Sequence, residues 1–255
     1  MNPVTIDFSS YPESVAKALD FINAGQILAK QPLILIKPNL VNASPHPVTT
    51  PPDFCEAVVK YVRLCSKAEI VIAEGCGDVS FETDEVFELL GYKDLSRRQG
   101  VSLVDLNKLP LKKIKNRKCS VFREIYLPEI AFTHYIISLP VLKAHSLSVI
   151  TGTLKNMIGF APPEHYSGRF GIWKKAALHA NIHQSITDLN SYRSPDLSLM
   201  DATIGLAEHH LGGRCCYPPE KKIIAGFNPV EVDRRAATLL GFNWKEIPHL
   251  AEKLR

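Results

Sequence analysis

Apolar residues in this chain follow two rhythms. Short unbroken apolar runs alternate with stretches in which apolar residues recur every three or four positions. Leu33-Ile34-Leu35-Ile36 is an unbroken run, closed by Lys37-Pro38-Asn39. From Asp53 to Cys65 the positions Phe54, Ala57, Val58, Tyr61, Val62 and Cys65 keep helical spacing, behind Pro51 and Pro52. A second strand is predicted at Glu69–Ala73 and a short helix at Asp84–Leu90, stopped by Gly91. Val101–Asp105 reads as a third strand, Arg123–Leu127 as an edge-like one, and His134–Leu139 as a buried one ended by Pro140. A helix over Ala176–Ser191 follows, then strands at Leu197–Met200 and Lys222–Ala225, then helices over Val230–Leu240 and Trp244–Leu254.

Strands that are apolar on both faces, separated by helices, predict an α/β fold. The expected architecture is doubly wound, a mostly parallel sheet flanked by helices on both faces. Residues 1–255 read as a single domain. Two stretches break the rhythm. One is an irregular insertion near 140–175, rich in Gly, Lys and His. The other is Glu208–Pro219, with Gly212-Gly213 between His209-His210 and Cys215-Cys216. Long irregular segments inside a compact domain are commonly functional.

The polar residues have a positional pattern. Each predicted core strand carries them just past its C-terminal end. They are Lys37 and Asn39, then Glu74 and Asp78, Asp105 and Asn107, Lys143 and His145, Asp201, and Asn228. Open parallel sheets bind ligands beyond the carboxyl ends of their strands, so these residues are expected to converge on one crevice. The segment Leu142–Gly159 adds Lys155, Asn156, two threonines and two glycines. Lysines with close-approaching backbone amides suit a phosphate or carboxylate. The spacing is not that of a P-loop, and no G-x-S-x-G elbow is present.

Composition narrows the field. The 255 residues carry 30 basic and 26 acidic side chains, a net +4. That excess is too small, and too poor in interleaved aromatics, for a nucleic-acid surface. The basic run Lys112–Lys118 is expected to be a solvated loop. No apolar stretch approaches the roughly 18 residues of a membrane span. Met1–Asp7 lacks the basic and apolar regions of a signal peptide, so a cytoplasmic location is expected. The six cysteines form no C-x-x-C pair, and reduced thiols are the default. His179 and His183 stand four apart and would share one helix face, without the central Glu of a zincin motif. Adjacent side chains diverge, so His209-His210 and Cys215-Cys216 favour loop or buried thiols over metal ligands. Cys76 follows a strand but has no assigned base.

Several stretches together resemble the DUF362 family. They are Ile36–Val41, Thr49-Thr50-Pro51, Ala73-Glu74-Gly75, Leu139–His145, Leu154–Gly159, Asp201–Gly205 and Asn228–Asp233. They occur in the family's order from about residue 33 to residue 250. Some relatives carry a ferredoxin-like four-cysteine cluster domain. This chain has no C-x-x-C-x-x-C run, which sets it apart from them. It also has Ala202 where relatives usually have Gly after the Asp, so the local turn is expected to differ. The lysine- and histidine-bearing loops are distantly similar to those of nickel-pincer lactate racemases.

Together these readings predict an enzyme acting on a small anionic metabolite. His145, Lys143 and Glu74 are the candidate catalytic residues, with His145 transferring a proton near neutral pH. Lys37, Asn39, Lys155, Asn156, His179 and Asp201 are the candidate substrate-binding residues. No metal or cofactor is specified. The resemblance also implies a metal- or iron–sulfur-associated protein working with a ferredoxin-type redox partner. A non-catalytic binding module is the third alternative.

Overall fold

The computed structural model describes residues 2–168 and 174–251. In chain order the first elements are β1 (Val4–Asp7), α1 (Tyr11–Phe21), α2 (Ala24–Leu28), β2 (Leu33–Pro38) and α3 (Pro52–Cys65). Next come β3 (Glu69–Glu74), α4 (Thr83–Leu89), α5 (Tyr92–Gln99), β4 (Ser102–Asp105), β5 (Leu111–Lys115) and β6 (Glu124–Pro128). The middle of the chain gives β7 (Tyr135–Leu139), β8 (Val141–His145), β9 (Val149–Thr151), α6 (Thr153–Asn156) and α7 (Pro163–Tyr166). α8 (Ile182–Tyr192), β10 (Leu197–Leu206), β11 (Lys222–Gly226) and α9 (Pro229–Leu239) complete it.

The main sheet runs β1-β11-β10-β7-β2-β3-β4, with the β8–β9 hairpin attached to β10. β10, β7, β2, β3 and β4 pair in parallel, and β11 runs against both its neighbours. The fold is therefore α/β, with a mixed and mostly parallel sheet. The unbroken apolar runs explain it. Ile34 and Ile36 enter one apolar cluster and Leu35 the other; Ile70 and Ile72 split from Val71 and Ala73 in the same way. Each of the Ile, Leu and Val side chains contributes about 1.5–3 kcal/mol by leaving water.

After β2 the chain builds β3 and β4 toward one edge; from β7 it builds toward the other. The order reverses between β2 and β7, which is where a parallel sheet opens a crevice at its carboxyl end. Pro140 lacks an N–H and ends β7, but the chain resumes at once as β8, also parallel to β10.

The structure corrects several expectations. The basic run is not all loop: Leu111–Lys115 is a strand paired antiparallel with β6, and Lys113 and Lys115 both pair with Glu124. Its side chains lie on a hairpin whose other strand buries Ile125 and Leu127. The Ala176–Ser191 helix is broken at Asn181, leaving a 3-10 turn over Ala176–His179 ahead of α8. Trp244–Leu254 forms only a 3-10 turn at Trp244–Glu246, because Pro248 cannot continue a helix; its last three residues lie outside the described ones. Ala202 needs no special turn. It lies inside β10, and the left-handed position falls at Gly205 instead.

Candidate anion site

A cavity of about 440 Å³ opens at the carboxyl ends of β2 and β3, walled by the β8–β9 hairpin and α6. It is of the size that small-molecule sites usually have. Of the expected residues, Lys37, Asn39, Glu74, His145, Lys155, Asn156 and His179 all line it.

Its floor is a buried polar network. The Lys37 ammonium meets Glu74 Oε1 at 2.6 Å and also donates to Asn156 Oδ1 and the Pro38 carbonyl. Glu74 accepts the backbone N–H groups of Leu40 and Gly75 as well, both at 2.8 Å. Burial pulls Lys37 below the usual lysine range, against the opposing pull of Glu74. Asn156 donates to Ser138 Oγ and the Lys37 carbonyl, locking α6 onto β7 and β2. Gly159 crosses directly above the ion pair: a Cβ there would overlap Glu74 Oε1 and the Lys37 amine.

Glu74 neutralises Lys37 and anchors two loops through these three bonds, and it lines the cavity as well. Lys143, expected to be catalytic, lies beneath the lining. It donates to Asn39 Oδ1 at 2.7 Å and to the Val48 carbonyl at 2.6 Å. It positions Asn39 rather than facing the cavity. Burial, with a like charge on Lys155, lowers Lys143 to about 7.

The roof is a stack of imidazoles. His145 lies 3.9 Å from His210 and 6.5 Å from His179, ring centre to ring centre, with the planes nearly parallel. His145 Nδ1 accepts the backbone N–H groups of Leu147 and Ser148. The neutral ring therefore carries its proton on Nε2, which is buried without a hydrogen-bond partner among the described residues. Burial, and then the charge of Lys155, hold His145 far below the usual histidine range. His210 is held at about 3 for the same reasons, and its Nδ1 is also buried and unpartnered. Thr151 Oγ1 is the third such atom in the lining. His179 Nδ1 donates to the Lys175 carbonyl at 3.0 Å. Between floor and roof stands Lys155. Its ammonium has no hydrogen-bond or ion-pair partner among the described residues, and burial lowers it to about 8.

Asp201 is elsewhere. It is fully buried and accepts from Tyr11 Oη at 2.7 Å and the Thr203 N–H at 2.8 Å, with His46 Nε2 at 3.3 Å. It ties β10 to α1 and to the loop after β2. His183, separated from His179 by the helix break, meets His249 with their Nδ1 atoms 2.8 Å apart. Asp188 accepts the N–H groups of Val121 and Phe122.

Three site residues carried no clear signal in the sequence. Lys175 stands at the end of the irregular insertion, just ahead of the expected helix; it donates to Asn107 Oδ1 and the Gly159 carbonyl, and burial lowers it to about 7. His210 was visible only as half of a His-His pair. Asp233, within the quoted Asn228–Asp233 stretch, accepts the N–H groups of Thr153 and Leu154 and so holds α6.

Cys55, Cys76 and Cys119 are buried apart and Cys215-Cys216 are adjacent, all as free thiols. Among the described residues no three His, Cys, Asp or Glu side chains gather as a metal-binding group. The described residues do not fit a ferredoxin-type cluster, whose irons need four thiolates. No described helix is long and apolar enough to cross a membrane.

Comparison with curated proteins gives no match. A family model does match, over residues 34–238, which takes in β2, the cavity floor, the imidazole roof and most of α9. The chain belongs to the family described as a domain of unknown function, DUF362.

Proposed function

We propose that this chain is an enzyme whose cavity binds a small anionic metabolite through its phosphate or carboxylate group. The carrying observation is the set of orphaned polar groups in one lining. His145 Nε2, Thr151 Oγ1 and His210 Nδ1 are buried and unpartnered, and the Lys155 ammonium beside them has no partner among the described residues. Buried polar atoms without partners are rare, and three of the six such atoms among the described residues fall in this one lining. An anion's oxygens would accept from Lys155, Thr151 and the His145 N–H together. Such charge-assisted bonds are about twice as strong as neutral ones.

The chemistry this supports is proton transfer. Lys155 stands near 8 and Lys175 near 7, so both exchange protons close to neutral pH. Burial depresses His145 most and the Lys155 charge adds to it; a bound anion offsets that second part and raises the imidazole pKa. Helices on both faces of a doubly wound sheet are the reading of the scaffold that the two apolar clusters support, and that scaffold leaves this crevice open.

The test has two stages. Thermal shift with a panel of phosphates and carboxylates is expected to show stabilisation by anions and none by neutral analogues. The stabilising carboxylates are then held with the protein in D2O and followed by NMR. Deuterium entering a C–H bond, with loss of that exchange in His145→Ala, is the expected result. Stabilisation without exchange would leave a binding module, and no stabilisation would remove the anion reading.

A further inference from the structure

The mouth of the cavity differs from its interior. Val79, Leu147 and Leu211 all line it, and they are 51%, 54% and 42% exposed. They come from three separate segments: the loop after β3, the β8–β9 turn, and the loop after β10. Large aliphatic side chains left in water singly need no explanation, but three converging on one opening do. Val41 and Ile158 continue this apolar wall inward. Beneath it lie the lysines and the orphaned donors. The cavity, at about 440 Å³, is far larger than an anionic head alone requires.

We infer that the ligand is amphipathic, an anionic head joined to an apolar aliphatic or aromatic body, with the body covering Val79, Leu147 and Leu211. This rests on the anion-binding reading of the same cavity and adds to it the chemistry of the rest of the molecule. The positive interior selects the head, and the apolar rim selects against bodies carrying hydroxyls. Asn42, Asp78 and Ser146 also line the cavity, but a sugar-like body would leave the hydroxyls that meet Val79, Leu147 and Leu211 without hydrogen bonds. An apolar body removes both its own surface and the rim's from water. The order of the layers also fixes orientation, head toward Lys155 and body outward.

Calorimetric titration with matched pairs tests this. Phenyl phosphate is compared with glycerol 3-phosphate, phenylacetate with lactate, and inorganic phosphate serves as the head alone. Whichever head the cavity takes, the apolar member of that pair is expected to bind about tenfold tighter, the equivalent of burying roughly 50–60 Å² of apolar surface. In the double variant Leu147→Asn/Leu211→Asn that gap is expected to close, with binding of the head alone unchanged. Both positions are exposed, so the fold should survive; Val79→Asn is the independent second variant. Equal affinities within each pair, or a gap that survives both variants, would overturn the inference and leave the anion site intact. Absence of binding by every probe, inorganic phosphate included, would overturn the anion reading itself.

Discussion

The Asp233 carboxylate accepts the backbone N–H of Thr153 at 2.6 Å, across 80 positions of chain. It takes the N–H of Leu154 as well, at 3.0 Å. These are first-turn donors of α6, so Asp233 on α9 holds the turn that carries Lys155 and Asn156. Gly152 is part of the same fit, because a Cβ there would overlap the carboxylate. Leaving buried N–H groups unpaired costs about 1–3 kcal/mol each. Asp233→Ala is therefore expected to lower the unfolding free energy by about 2–6 kcal/mol and to weaken phosphate binding, as read by urea denaturation and calorimetry. Unchanged anion affinity would mean that α6 holds its shape without the clamp.

The same carboxyl sets a pH dependence. Burial raises Asp233 from 3.8 to about 7. Between those values the native state keeps a proton that the unfolded chain has released. The resulting stability is fully present below pH 3.8 and is lost as the pH rises through 7, at up to about 1.4 kcal/mol per pH unit. Relative to Asp233→Asn, the wild-type protein is expected to lose stability steadily from pH 4.5 to 7. A difference that stays flat with pH would contradict this.

The Lys37–Glu74 pair is fully buried, and removing one member strands the other. Glu74→Gln or Lys37→Met alone is expected to cost about 3–5 kcal/mol. The double variant Lys37→Met/Glu74→Leu is expected to cost less than the sum of the two, and a double-mutant cycle in denaturant measures the difference. Strict additivity would show that the pair is not coupled.

The parallel core was legible, and so was the convergence of Lys37, Asn39, Glu74, Asp78 and His145 on one cavity, because both follow from simple periodicities; Asp105, Asn107, Lys143, Asp201 and Asn228 do not line it. Runs apolar on both faces require a covered sheet, and the ligand side of such a sheet is fixed. What stayed hidden had physical causes. β1 is four residues long, too short to show a period. β8 begins directly after Pro140, a residue that normally reads as a stop. Asn181 breaks a continuous helical pattern and sends His179 to the cavity and His183 to His249. Nor does sequence position separate residues that face the cavity from those that brace it. Lys143 and Lys155 look alike in the chain, yet Lys143 is spent on Asn39 and the Val48 carbonyl while Lys155 has no partner among the described residues. Asp201 carries the right residue type at a strand end, and the fold spends it on Tyr11 and His46.

The charge on Lys155 depresses His145 after burial itself. Replacing it with an apolar side chain of similar length is expected to raise the His145 pKa, read by NMR titration of the imidazole protons. The variant Lys155→Met tests this, and an unmoved His145 would show that burial acts alone.

Anion affinity is expected to fall as pH rises. The ammonium forms hold the anion, Lys155 stands at about 8, and Lys175 at about 7. Sulfate stays doubly charged across this range, so it reports the protein's protons only. Its affinity is expected to drop by up to about tenfold per pH unit above pH 8 for each proton lost. An affinity independent of pH from 6.5 to 9.5 would exclude the lysines as the binding groups.

The most direct measurement is calorimetric titration of inorganic phosphate at pH 7 into the wild-type protein and into Lys155→Met. The account predicts saturable binding at one site in the wild type, weakened by about tenfold or more in the variant, in line with loss of a charge-assisted contact. No binding to the wild type, or equal binding to both proteins, would contradict it.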